Sequence, residues 1–138
     1  MFEFTDEQKL FAEMVRRWAE EKLVPALPDL ELGLCLPYEL MRDFMATLGL
    51  EEMVRKRYQN PGRSEKPGRA VSGGHDPGWE AIIAIELSRV CPGFMLAFGA
   101  STGLAGRTVM ARGTERQKER WGIPLLTAEL IGAWAVTE

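Results

Sequence analysis

The sequence predicts an all-α fold, a domain of five to six helices with a short extended segment at its C-terminus. Two observations predict it. Apolar residues recur at helical spacing in one stretch after another, and the single strand-like run, Ile131 to Thr137, stands at the far end. The 138 residues, 46% of them hydrophobic, supply apolar mass for one core and show no internal repeat.

The first helix opens at Thr5 and Gln8, which have capping-box spacing, with Asp6 and Glu7 where a helix N-terminus favours negative charge. Phe11, Met14, Val15 and Trp18 then form one stripe, and Pro25 is expected to end the helix. A second helix starts near Pro37. Leu40, Met41, Phe44, Met45 and Leu48 make its apolar face, and Gly49 is its expected C-terminal cap.

Residues 55–78 change character: glycine, proline and basic residues dominate and apolar periodicity is lost, so this stretch reads as a flexible, solvated linker. Trp79 to Val90 reads as the third helix, with Trp79, Ile82, Ile83, Glu86 and Val90 on one face. After the Cys91-Pro92-Gly93 break, a fourth helix runs from Phe94 to Arg112 and is capped by Gly113. It is apolar nearly all round and rich in small residues, among them Gly99, Ser101, Gly103, Ala105 and Gly106. These serve either close approach of another helix or room for a ligand, and both readings stand. Thr114 and Gln117 repeat the capping-box spacing and start a short fifth helix through Trp121, interrupted by Pro124, with a last turn over Thr127 to Leu130.

The formal net charge of −3 disfavours a nucleic-acid partner. The longest charge-free apolar stretch, Val90 to Gly106, stops short of the roughly 20 apolar residues that cross a bilayer. Glu3, Asp6 and Glu7 close behind Met1 speak against a secretory or mitochondrial leader. Cys35 and Cys91 lack metal-ligand or redox spacing and suit a reducing, cytoplasmic compartment, and with His75 the lone histidine no metal site is expected.

Individual candidates weigh toward structure. Glu86 and Arg89, spaced i, i+3, read as a surface or helix-packing ion pair. His75 lies among linker glycines without an orienting partner, and Ser101 and Thr102 lack a base and a nucleophile elbow. Trp18, Trp79 and Trp121 read as core or interface anchors.

The C-terminal third carries a family pattern. Gly113-Thr114-Glu115-Arg116-Gln117-Lys118-Glu119-Arg120-Trp121, followed by Trp134-Ala135-Val136-Thr137-Glu138, resembles acyl-CoA dehydrogenases, where a Gly-(Thr/Ser)-Glu-x-Gln-Lys helix start precedes an aromatic-x-(Val/Leu)-Thr-Glu strand. Phe4-Thr5-Asp6-Glu7-Gln8 and Glu86-Leu87-Ser88-Arg89 agree in order and spacing. The resemblance implies a helical N-terminal domain over residues 1–130 and, at 131–138, the first strand of a β-domain that the chain does not contain. It implies FAD as the cofactor of the complete enzyme, an acyl-CoA thioester as substrate, and assembly with further copies or a partner subunit. Trp134, Val136 and Thr137 match the strand that touches the flavin.

No catalytic residue can be carried over. The base lies far downstream in the family, and the family's glycine-serine turn follows the point where this sequence stops. The isolated chain is therefore expected to be inactive. The family's Tyr-Gly-Gly region is replaced by 55–78, and Trp134 stands where Tyr or Phe is more usual. The alternative is a non-catalytic helical dimerisation or interaction module.

Overall fold

The computed structural model describes residues 3–59 and 77–135. Among them six helices follow one another and no strand occurs: α1 (6–31), α2 (Tyr38–Thr47), α3 (Leu50–Gln59), α4 (Pro77–Val90), α5 (92–112) and α6 (115–126). The expected all-α class is what the chain adopts.

Helix α1 starts as its sequence predicts. The Thr5 hydroxyl accepts from the Gln8 amide at 3.2 Å, and the Gln8 side chain accepts from the Thr5 amide at 2.9 Å, so two otherwise unpaired helix-end donors are satisfied. Val15, Trp18, Ala19 and Leu23 lie buried on its inner face.

Pro25 does not end α1, contrary to expectation. An α-helical Asp6–Trp18 gives way to a π-helical turn, Ala19–Leu23, and α-helix resumes over Val24–Glu31. A proline ring inside a helix normally collides with the carbonyl four residues back. Here that carbonyl belongs to Glu21, inside the wider π turn, where the backbone bonds five residues back and leaves the ring room.

Helix α6 repeats the arrangement. Lys118–Gly122 is π-helical, Pro124 follows, and the carbonyl four residues back is that of Arg120. The helix consequently runs on to Leu126 instead of stopping at Trp121. Its start is the second capping box, Thr114 with Gln117.

Helix α2 has Pro37 as its N-cap. Gly49, at φ +65°, follows its end in the left-handed conformation that glycine adopts without a Cβ penalty. Met41, Phe44 and Met45 are fully buried, and Leu40 and Leu48 pack at the margin of the core.

Helix α3 corrects the expected linker at 55–59, and the first turn of α4 corrects it at 77–78; residues 60–76, with His75, lie outside the described residues. Glu51 and Glu52 occupy the first turn of α3 and Lys56 and Arg57 the last, which complements the helix dipole. Glu51–Arg55 and Glu52–Lys56 ion pairs span i, i+4 at 3.0 and 2.7 Å, while Leu50 and Val54 face the core. The basic residues that suggest a linker are the charged end of an amphipathic helix.

The core forms where α1, α2, α4 and α5 meet. Trp18 stacks edge-on against Phe44 at 4.8 Å between ring centroids, Phe44 against Phe98 at 5.4 Å, and Ile82 and Leu87 of α4 close the cluster. The Trp18 indole N–H donates to Asp43 at 2.7 Å, so the ring is buried without an unpaired donor. Trp79 stacks edge-on against Phe11. Trp121, in contrast, is exposed beneath the Arg120 guanidinium and is no core anchor. No helix among the described residues is long and apolar enough to cross a membrane.

Candidate functional site

The small-residue face of α5 and the chain that follows α6 come together. Helix α5 begins at Pro92, with the Cys91 sulfur accepting from the Phe94 amide at 3.3 Å, and its middle, Gly99–Gly106, is a third π-helical segment. Gly106 faces α6 so closely that a Cβ there would lie 3.0 Å from Leu126 Cδ2. Of the two readings of the small residues, close packing of helices accounts for Gly106, whereas a Cβ on Gly103 would meet nothing within 4 Å.

After α6 the chain turns back across α5. Thr127 is buried, with its hydroxyl donating to the Ile123 carbonyl at 3.1 Å, and Ala128 is fully buried at φ +60°, a left-handed conformation unusual for a residue with a Cβ. Leu130 donates to the Pro124 carbonyl at 3.0 Å. Gly132 then donates its amide to the buried Ser101 hydroxyl at 3.0 Å, and a Cβ on Gly132 would sit 2.6 Å from Ala105 Cβ and 2.9 Å from Leu125 Cδ2. Ser101 is thus a structural acceptor, while Thr102 donates to the Phe98 carbonyl within its own helix. Neither is paired with a base.

Residues 131–135 carry no regular secondary structure and 133–135 are exposed; the Trp134 ring is 48% accessible. Of the three sequence-predicted flavin contacts, Trp134 stands on this exposed stretch, and Val136 and Thr137 lie outside the described residues. An indole about half exposed, with exposed backbone beside it, has groups of the kind that stack on or hydrogen-bond to a flat heteroaromatic ring.

An ion pair joins α1 to α4. Glu86, its side chain only 7% accessible, accepts from Arg16 Nε at 2.9 Å and Nη2 at 2.8 Å, with Arg89 further off at 3.6 Å. The expected Glu86–Arg89 pair is therefore secondary to a contact between helices. The Arg16 hydrogen bonds hold the Glu86 carboxyl below its ordinary range despite burial, and they raise Arg16 in turn. Among the described residues no cluster of His, Cys, Asp or Glu is arranged to hold a metal ion. A shallow cleft of about 470 Å³ lies elsewhere, lined by Ala26, Cys35, Leu36, Tyr38, Glu39 and Leu40.

The model of the acyl-CoA dehydrogenase N-terminal domain matches residues 5–129. This chain belongs to that family. Among its relatives, the short-chain-specific acyl-CoA dehydrogenase of Clostridium acetobutylicum is 32% identical over 99% of this chain and 33% of its own length. The short-chain-specific enzyme of Megasphaera elsdenii is 26% identical over 99% and 33% of the two chains. The mitochondrial isovaleryl-CoA dehydrogenase of Bos taurus is 27% identical over 96% and 29%. The chain spans about a third of the length of these curated relatives. No solved structure matches it.

What sequence reasoning missed are Arg16, Ser101 as an acceptor, and Gly132. Arg16 and Glu86 are separated by 70 residues, and Ser101 and Gly132 by 31, so no local spacing signals either pair. The small size of Gly132 and the burial of Ser101 become meaningful only once α5 and α6 are side by side.

Proposed function

We propose that this chain acts as the N-terminal helical domain in the α,β-dehydrogenation of an acyl-CoA thioester by an FAD-dependent enzyme. The observation that carries the reading is the domain match over residues 5–129, joined to a fold that leads its final described residues out as an exposed stretch bearing Trp134. Bound FAD would supply the acceptor for the substrate's β-hydride. The part of this chain is to present Trp134, Val136 and Thr137 to the flavin, with residues 131–138 entering the first strand of a β-domain, and to cover one side of the acyl site with α5. The open position at Gly103 supports that last role.

Alone, the 138 residues are expected to show no dehydrogenase turnover, since no catalytic base is identified in them. The free cysteines Cys35 and Cys91 suit a reducing, cytoplasmic setting.

The test is a chimera in which residues 1–138 replace the matching first third of the Clostridium acetobutylicum relative, assayed beside the unmodified relative. A folded chimera that retains FAD and oxidises a short-chain acyl-CoA with an electron acceptor supports the reading. A folded chimera that holds no FAD sinks it.

A second reading, a non-catalytic interaction module, is favoured by one feature. Leu32, Leu34 and Leu36, in the turn between α1 and α2, are 73%, 72% and 66% accessible. Self-association through such a surface, or pairing with a partner subunit, would appear in sedimentation of the pure chain. A monomer at high concentration would count against it.

A further inference from the structure

We propose that Ser101 is a positioning residue for the flavin-contacting segment, acting through Gly132; the role assigned to it rests on the reading given above. The geometry is unusually restrictive for a chain about to leave a helical domain. Up to Ile131 the segment is held by burial: Thr127 and Ala128 are in the interior and Ile131 packs on the core. From Ala133 onward it is exposed. Gly132 is the boundary, and two different constraints meet there.

The first is steric. A Cβ on Gly132 would overlap both Ala105 of α5 and Leu125 of α6, so its backbone is wedged this close against the two helices only because it lacks one. The second is polar. A wedge alone fixes the position of the backbone and leaves its rotation free. The hydrogen bond from the Gly132 amide to Ser101 Oγ fixes the plane of the peptide, and so the direction in which the next residues depart.

Ser101 is well suited to that task. Its side chain is fully buried in the middle of the π-helical part of α5, so the acceptor itself cannot drift. Its neighbour Thr102 spends its hydroxyl on its own helix. Trp134 stands two residues beyond the latch, so a rotated peptide plane at Gly132 is carried directly into the residue proposed to meet the ring.

The experiment has two arms. In the 138-residue chain, labelled with 5-fluorotryptophan and with Trp134→Phe used for assignment, Ser101→Ala is expected to speed Gly132 amide exchange about fivefold to tenfold, the loss of one hydrogen bond. The Trp134 fluorine resonance should move while those of Trp18 and Trp79 stay, a pattern that general loosening of the fold would not give. Ser101→Thr, which keeps the hydroxyl, should restore both. Gly132→Ala attacks the same latch from the other side and should move the Trp134 signal independently.

In the chimera, Ser101→Ala should weaken FAD binding by a similar factor and change the circular dichroism of the bound flavin, with Ser101→Thr again restoring both. Unchanged Gly132 exchange in Ser101→Ala overturns the latch. Faster exchange with flavin affinity and dichroism unaltered overturns the positioning role. A folded parent chimera without FAD overturns the underlying reading, and the role with it, whatever the exchange data show.

Discussion

Glu86 on α4 accepts both Nε and Nη2 of Arg16 on α1, a two-pronged contact across 70 residues of sequence that ties together the two helices flanking the core. The carboxylate is nearly inaccessible, whereas Arg16 keeps almost half of its side chain in water. The pair therefore satisfies a buried charge more than it adds surface attraction. Replacing Glu86 by Gln should lower stability by about 1–2 kcal/mol, the scale of a charge-assisted hydrogen bond partly open to solvent. Denaturant unfolding of the pure chain measures this, and a change within error would assign the contact no energetic role.

The same pair sets a pH dependence. Hydrogen bonding from Arg16, its charge and that of Arg89 lower the Glu86 pKa, and burial opposes them. A carboxyl whose folded value lies below its ordinary 4.5 contributes stability that is complete above that pH and is lost as the pH falls through the folded value. Thermal unfolding followed downward from neutrality should fall below about that point, and Glu86→Gln should flatten the decline. An identical acid profile in the variant would place the acid-sensitive group elsewhere.

Thr114 is the counterpart of Thr5, each holding a reciprocal pair of bonds at a helix start. Thr114→Ala should cost about 1 kcal/mol. Because the chain after α6 is anchored on α5 by that helix, the variant should also accelerate exchange of the Leu130 and Gly132 amides, which hydrogen exchange resolves residue by residue.

Gly113 ends α5 in an extended conformation, and a Cβ there would approach the Val109 carbonyl oxygen to 2.5 Å. That neighbour is backbone and cannot step aside. Gly113→Ala should destabilise by about 1–3 kcal/mol, as overpacking does. Gly103→Ala, where the added methyl meets nothing, should be neutral or mildly stabilising through helix propensity. Comparison of the two unfolding midpoints separates room from propensity as the reason for glycine in this region.

Much of the fold was legible wherever the controlling interaction is local. The capping boxes at Thr5 and Thr114, the left-handed Gly49 and the apolar face of α2 all depend on residues within one or two turns. Pro25 and Pro124 misled because a proline's effect depends on the shape of the preceding turn, and one-residue widening leaves no compositional mark. Helix α3 is hidden where Arg55 and Lys56 read as solvated cations without Glu51 and Glu52 one turn earlier. For the site, Trp134 was legible only by resemblance. Ser101 and Gly132 meet through tertiary packing of α5 and α6, which no window along the chain contains.

The widened turn at Ala19–Leu23 also has a meaning as a matter of length: it houses one amino acid more than a regular spiral of the same rise. Deleting Glu20 should let the turn close into regular α-helix with its two flanks still in phase, whereas losing a residue from a regular helix turns everything after it by about 100°. Ala26 and Leu30 would keep the side on which they now sit, but the Pro25 ring would follow a regular turn and press on the carbonyl four residues before it. That surplus amino acid is what lets a proline-bearing rod run on without a break.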